Sequence, residues 1–553
     1  MSVARGRHLI RAAAALGATL LATSLVGCTP QHHAKAGPGT AVGSALASPA
    51  LSSTPSTPPS TTLTSPAAAV DGRADPGAFA SDLHWTDISA QMNKAIGDTG
   101  KRKFLFARST MDVPLDWADA RNGKHVTITA LRIRAADQKS RIGSLVINPG
   151  GPGVSAVDFS WQIAVAELPN AILDRFDIIG FDPRGIGLSS PVNCIAPKEK
   201  DDSLGLPPDP LTQAAWDSTL AENAKVAQEC YAKYGNDLTY YSTTATVRDM
   251  EALRAKLGEP KLTYLGFSYG TLIGAEYAAA YPGKVRALVL DGAVDPTISP
   301  LDQDKTQADG FQLAFSHFAA ACTKTRSACQ LGADPQAYVL NLMKRAAAHP
   351  IPSGDASDGR KATDGHVLLA VIQALYDPNA WPVLTDALVN ATKGDASGIL
   401  ALDDEYTERS PDGVYTNVED ADATISCADN TQRPTTAQAR ALQPVWRQEN
   451  PLFGGSAAAG LEFCSLWKAP PDETIKVADN HSPPVLVVGT TGDPATPISG
   501  AKHLSALLGS GRLLVWEGDG HTAYLRSSCI TSKVNSYLLD LKLPASGTTC
   551  PAS

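Results

Sequence analysis

The stretch from Lys261 to Gly274, KLTYLGFSYGTLIG, constrains this chain more than any other. An apolar run of strand character, Leu262 to Leu265, meets Gly266-Phe267-Ser268-Tyr269-Gly270. The chain leaves on a helical pattern, Thr271 to Tyr281, that Pro282-Gly283 stops. Strand, G-x-S-x-G, helix is the context of a nucleophile elbow, a sharp turn that lifts a serine hydroxyl above the carboxyl end of a sheet. The pentapeptide also describes an ordinary Gly-rich turn with a serine N-cap. The chemical reading therefore needs a base, an acid and oxyanion donors from elsewhere in the chain.

The surrounding pattern supplies a sheet for the elbow to stand on. Val126 to Arg134 alternates apolar and polar as a half-buried strand does, while Gly143 to Ile147, Phe176 to Gly180 and Val285 to Leu290 are continuous apolar runs. Gly-rich loops follow the second and third of these: Asn148-Pro149-Gly150-Gly151-Pro152-Gly153 and FDPRGIGLSS from Phe181. Thr244 to Leu257 carries Val247, Met250, Leu253 and Leu257 near one face, which predicts a helix before the elbow. Buried runs alternating with helices predict a mostly parallel α/β sheet. From Pro300 to Asp479 the pattern turns helical, with segments such as Phe311–Ala321 and Ala337–Ala348. Sheet-type runs then resume at Val485 to Val488 and Arg512 to Trp516, around a helix at Ile498 to Leu508. The expected organisation is a core in two parts, 76–300 and 481–553, interrupted by a mainly helical cap, 301–480.

Two residues past those later strands complete a chemical set. Asp493, in VLVVGTTGDPATP, and His521, in LLVWEGDGHTAY, each sit just beyond a strand, where functional groups of open α/β sheets gather. The order Ser268, Asp493, His521 is that of the α/β-hydrolase triad: His takes the serine proton and Asp holds the imidazole. Glu517 and Asp519 are nearer to His521 in sequence, but neighbours in one short loop seldom reach behind the ring. Oxyanion donors are expected from the main chain of Tyr269, after the nucleophile, and from the NPGGPG loop, at Gly151 with Gly150 as the rival.

NPGGPG, FDPRGIGLSS, GFSYGT and the GDPATP…GDGHTAY tail together resemble the α/β-hydrolase serine exopeptidases related to prolyl iminopeptidase, and within them the secreted tripeptidyl aminopeptidases of actinomycete bacteria. The resemblance runs from about Phe104 to Cys550 and implies an α/β-hydrolase fold with the cap over the cleft. It also implies release of short peptides, tripeptides first, from free N-termini, with no metal and no organic cofactor. One departure is that related iminopeptidases carry His-Gly-Gly-Pro-Gly where this chain has Asn148-Pro149-Gly150-Gly151-Pro152-Gly153, a change that the tripeptidyl branch tolerates. A free N-terminus calls for a carboxylate in the cap. Glu419, Asp420, Asp422 and Asp429 cluster there; ISCAD, Ile425 to Asp429, resembles a cap-to-core motif of this branch and makes Asp429 the candidate for the substrate amine. Two other readings share the sequence: a carboxylesterase or lipase on the same triad, and a catalytically silent surface-binding protein.

The N-terminus predicts export. Arg5, Arg7 and Arg11 precede an apolar run, Ala12 to Val26, too short to span a bilayer. Leu25-Val26-Gly27-Cys28 resembles a bacterial lipobox, which implies cleavage before Cys28, acylation there and a lipid anchor on the outer face of the cell membrane. Residues 1–28 thus read as a signal peptide with lipobox, and a plain secretory signal with a chance Cys is the alternative. Residues 29–75 are rich in Ala, Ser, Thr and Pro, lack aromatics, and read as a disordered tether. The remaining cysteines are even in number and fit disulfides in an exported protein. The spacing leaves their connectivity open. Pairing neighbours in sequence gives Cys194–Cys230, Cys322–Cys329, Cys427–Cys464 and Cys529–Cys550 as the simplest expectation. With 47 basic and 56 acidic residues and no basic run in the body, nucleic acid is an unfavoured partner. His spacing suggests no metal site, and a monomer is assumed.

Overall fold

The computed structural model describes residues 75–97, 102–324, 329–354, 359–479 and 481–552. The export segment, Cys28 and the tether up to Ala74 lie outside the described residues. One large sheet organises the rest. Its strands are β1 (Thr86–Asp87), β2 (Phe104–Pro114), β3 (His125–Ala135), β4 (Gly143–Asn148), β5 (Phe176–Phe181), β6 (Leu262–Phe267), β7 (Val285–Asp291), β10 (Val485–Gly492), β11 (Gly511–Asp519) and β12 (Thr549–Cys550). Their spatial order is β1-β2-β3-β5-β4-β6-β7-β10-β11-β12. Pairings from β5 to β12 are parallel, and β1, β2 and β3 add an antiparallel edge. β4, β5 and β6 are buried at every position, as expected for strands covered by helices on both faces.

The chain passes from β4 to β5 on one side and then crosses to β6 on the other. The carboxyl ends of β4 and β6 therefore flank a topological switch point, where a crevice opens. Helices α1 (Ala156–Ala166), α2 (Thr243–Lys256) and α3 (Gly270–Ala280) follow the NPGGPG loop, precede the elbow and leave it, in that order. Ser242 caps α2 by accepting the Ala245 N–H at 3.1 Å.

The span between β7 and β10 is mainly helical, including α4 (Pro300–Lys324), α5 (Asp364–Leu375) and α6 (Val418–Asp429), with one short antiparallel pair, β8 (Ile351–Pro352) and β9 (Lys361–Ala362). It divides by packing. Phe311, Phe315 and Phe318 of α4 join Val367 and Val371 of α5 in a core of their own. Ala421, Ile425 and Cys427 of α6 pack instead into the cluster around the sheet. The acidic helix thus packs with the sheet rather than with α4 and α5. Helices α7 (Ile498–Leu507) and α8 (Ser528–Asp540) complete the fold.

The structure joins Cys194–Cys230, Cys322–Cys329, Cys427–Cys464 and Cys529–Cys550, with Cα separations of 4.6, 4.8, 5.2 and 5.8 Å. The third ties the end of α6 to the chain that returns to β10. The FDPRG loop proves to be a brace. Arg184 and Asp249 are both fully buried; Nε meets Oδ2 at 2.8 Å and Nη2 meets Oδ1 at 2.6 Å. The guanidinium also donates to the carbonyls of Leu115, Tyr240 and Pro114, and Trp117 Nε1 donates to Asp249 Oδ1. Asp249→Ala strands a buried, unpaired guanidinium. The substitution is expected to cost about 3–5 kcal/mol, read as a drop in the denaturant midpoint.

Candidate active site

The elbow forms because two glycines allow a close approach. A Cβ on Gly266 would lie 2.4 Å from the Gly270 carbonyl oxygen, and one on Gly270 would lie 2.7 Å from Asn148 Oδ1. Between them Ser268 is held at φ 52°, a left-handed conformation that a non-glycine residue adopts only under constraint. The constraint is visible: the Ser268 N–H donates to the Asp291 carbonyl at 2.9 Å, and the N–H of Thr271 donates to the Ser268 carbonyl at 2.8 Å. The serine is half-buried, and its hydroxyl stands at the N-terminus of α3, where the helix dipole favours developing negative charge.

Asp493 and His521 come together as expected. His521 Nδ1 lies 2.9 Å from Asp493 Oδ1 and 3.1 Å from Oδ2. The carboxylate also accepts the N–H groups of Ala495, Thr496 and Thr522. It is fully saturated and cannot swing away from the ring. With Nδ1 facing a carboxylate, the proton sits on Nδ1 and Nε2 is left as the basic nitrogen. Gly292 ties this pair to the elbow: it follows Asp291, and a Cβ on it would lie 3.3 Å from His521 Cε1. The nearer acidic neighbour, Asp519, is engaged elsewhere, at 2.6 Å from His317 of α4.

The oxyanion loop separates the two candidates. Gly150 donates its N–H to Asn148 Oδ1 at 3.0 Å, so it is occupied, and the rival assignment is corrected. The N–H groups of Gly151 and Tyr269 have no hydrogen-bond partner among the described residues. Asn148 thus has a task of its own: it braces the loop and touches the elbow.

Helix α6 spans this crevice. At its start, Asn417 accepts from the Gly187 N–H and donates to the carbonyls of Gly185 and Val192, and a Cβ on Gly153 would lie 2.3 Å from the Val418 carbonyl oxygen. At its end, Asp429 accepts from the N–H of Thr243 at 2.8 Å and from its hydroxyl at 2.5 Å, and that hydroxyl meets Tyr269 OH at 2.6 Å. Both Asp429 oxygens are therefore taken up in a tie between α6 and the elbow, which corrects its expected role as the amine ligand. Burial pushes its carboxyl up to about 7.

Glu419 and Asp422, one turn apart on α6, face a different neighbourhood. Burial raises Asp422 to about 7, burial together with Asp422 does the same for Asp304 of α4, and burial with Asp420 and Asp422 raises Glu419 to about 7 against the pull of Lys200. Asp422 keeps an exposed surface although protein packs densely around its carboxyl. Two tyrosines connect it to the base. Asp422 also raises the hydroxyls of Tyr406, to about 12, and of Tyr376, burial being the larger cause in each. The Tyr376 ring meets the His521 ring edge-on at 5.1 Å, and its carbonyl accepts the His521 N–H at 2.9 Å.

Sequence reasoning did not single out Tyr376, Asp304 or Asp291. The first two carry no local signal, because their role depends on how the helices fold over the sheet. Asp291 had one, an acidic residue ending a strand that is apolar from Ala287 to Leu290.

Known proteins share this architecture. A family model described as alpha/beta hydrolase fold matches residues 143–527. Serine protease Hip1 of Mycobacterium tuberculosis is 36% identical over 460 residues, covering 79% of this chain and 86% of its own. Carboxylesterase B of the same species is 36% identical over 454 residues, covering 80% and 86%. Tripeptidyl aminopeptidase of Streptomyces lividans is 28% identical over 456 residues, covering 79% and 82%. With a nucleophile elbow, an Asp–His pair and free main-chain donors at the switch point of a parallel sheet, the chain belongs to the alpha/beta hydrolase fold family, in the branch that contains these actinobacterial proteins.

Proposed function

We propose that the protein is an exported, lipid-anchored serine peptidase that releases short peptides, tripeptides first, from free N-termini. The observation that carries the peptide reading is a set of mutually repelling carboxylates, Asp304, Glu419 and Asp422, connected to the Asp493–His521 pair through Tyr376, which feels both Asp422 and Asp493 and meets the His521 ring. No cation contributes to the shifts of Asp304 or Asp422. Such a set favours a cationic group on the substrate, and the N-terminal amine of a peptide is one. The names of two relatives, a serine protease and a tripeptidyl aminopeptidase, support the same reading.

In this reading Ser268 is acylated and then freed. Ser268 Oγ attacks the scissile carbonyl as His521 Nε2 takes its proton, and Asp493 stabilises the imidazolium through Nδ1–H. The carbonyl oxygen becomes an oxyanion that accepts the N–H groups of Gly151 and Tyr269. His521 returns the proton to the leaving amine, which departs as the shortened chain. Water, deprotonated by His521, then frees the N-terminal peptide from Ser268.

Turnover of a tripeptide chromogen with a free N-terminus, against the same chromogen N-blocked, tests the proposal. The free form is expected to be cleaved at least about a hundredfold better in kcat/KM, the worth of one well-made buried charge pair. Equal cleavage of both would point to an endopeptidase. Hydrolysis of short acyl esters alone would point to an esterase, the activity that the name of Carboxylesterase B implies for that relative. Export and anchoring rest on Leu25-Val26-Gly27-Cys28 and are tested by Cys28→Ala, which should release the protein from the membrane fraction.

A further inference from the structure

Asp291 sits where the two halves of the chemistry meet. It ends β7, opposite Phe267 on one side and Val488 on the other, between the strand that carries the nucleophile and the strand that carries the acid. It is fully buried. Its main-chain carbonyl accepts the Ser268 N–H at 2.9 Å. Its carboxylate accepts the N–H of Tyr524 at 2.7 Å and that of Ala523 at 3.1 Å to each oxygen. Those two N–H groups belong to the turn that follows His521, in which Thr522 and Leu525 stand at φ 66° and 70°. Two non-glycine residues in left-handed backbone within one short turn cost about 1–3 kcal/mol each and persist only where something holds them. Asp291 is placed to do so.

We propose that Asp291 is a positioning residue that holds nucleophile and base in one frame, its carbonyl fixing the elbow and its carboxylate fixing the turn that carries His521. The proposal rests on the reading of Ser268 and His521 given above. A second consequence is electrostatic. Of the titratable groups, Asp493 from the loop after β10 and His521 from the loop after β11 face the carboxylate; β6 and β10 bring Phe267, Ser268 and Val488 to it. Burial raises Asp291 to about 6 against the pull of its two N–H donors, so the group is ionised at neutral pH. A buried anion then faces the imidazolium that forms during each turnover, in addition to Asp493.

Asp291→Asn and Asp291→Ala test this. In both, kcat per active site, counted by fluorophosphonate titration, is expected to fall about a hundredfold with KM changed less than about threefold, since the substrate pocket is untouched and the reacting geometry is not. The acid limb of the kcat profile is also expected to move to lower pH, because an anion facing the imidazolium has been removed. A residue that only supported the fold would lower the titrated fraction and leave kcat per site and the limb in place. Wild-type kcat per site, an unmoved limb, or variants with no titratable sites would overturn the proposal. Failure of the underlying reading is distinct: it appears as fluorophosphonate labelling that survives Ser268→Ala.

Discussion

Replacing Ser268 by Ala is expected to lower kcat by about 10⁴-fold or more while leaving KM and thermal stability near their wild-type values. The size follows from the division of labour. The oxyanion donors and the binding cleft survive the substitution and still orient water and substrate, but no covalent intermediate can form, and His521 has no hydroxyl to deprotonate. Stability should hold, as a melting curve would read directly, because the Ser268 hydroxyl makes no hydrogen bond among the described residues. The Ser268 N–H, which does, is retained by alanine. The φ of 52° is kept as well, so alanine relieves no strain. The variant should also lose all labelling by a fluorophosphonate. A preparation of Ser268→Ala that retains a tenth of the activity, free of contaminating hydrolase, would move the nucleophile elsewhere and with it the whole assignment.

Much of this arrangement was legible in the chain. The strands that position the triad are apolar and continuous, and the residues they deliver, Ser268, Asp493 and His521, each follow a strand within a few positions. Local sequence suffices where the physics is local: burial of a strand, closeness of glycines in a turn, the order of three groups along a sheet edge. It fails where contact is made by folding over. A cap boundary drawn at composition is silent about packing, because α6 differs from its neighbours in what it touches rather than in what it contains. The choice among Glu419, Asp420, Asp422 and Asp429 was open for the same reason. Asp420 pairs with Lys200 at 3.0 Å and Asp429 is held by Thr243, whereas Glu419 and Asp422 are held up to about 7, chiefly by burial. Asp304 comes from a different helix, and no spacing rule connects it to them.

Asp422→Asn is the substitution that tells these carboxylates apart. It is expected to raise KM for a tripeptide with a free N-terminus by about a hundredfold and to leave the N-blocked analogue unchanged, because only the former brings a charge to the cleft. Asp429→Asn should alter the free-to-blocked ratio little. The pH dependence gives a second reading. Asp304, Glu419 and Asp422 are held up to about 7 and are largely protonated at pH 6, so affinity for the amine should weaken as the pH falls below about 7. It should weaken again above about 8, where a peptide amine loses its proton. With Asp422 gone, Asp304 and Glu419 lose a neighbouring charge, and the acid side of the KM profile moves to lower pH. Stability should change in the opposite sense to affinity. A carboxyl raised in the folded state contributes stability that is fully present below its unfolded value, near 4, and is lost as the pH rises through about 7. At pH 8 the wild-type protein carries that loss and Asp422→Asn does not, so the variant should melt at a higher temperature while binding its substrate less well. Such an exchange of stability for recognition is expected where like charges are held together to receive an opposite one. A variant that melts lower at pH 8, or that loses the blocked and free substrates alike, would place Asp422 in the fold rather than in the recognition of the amine.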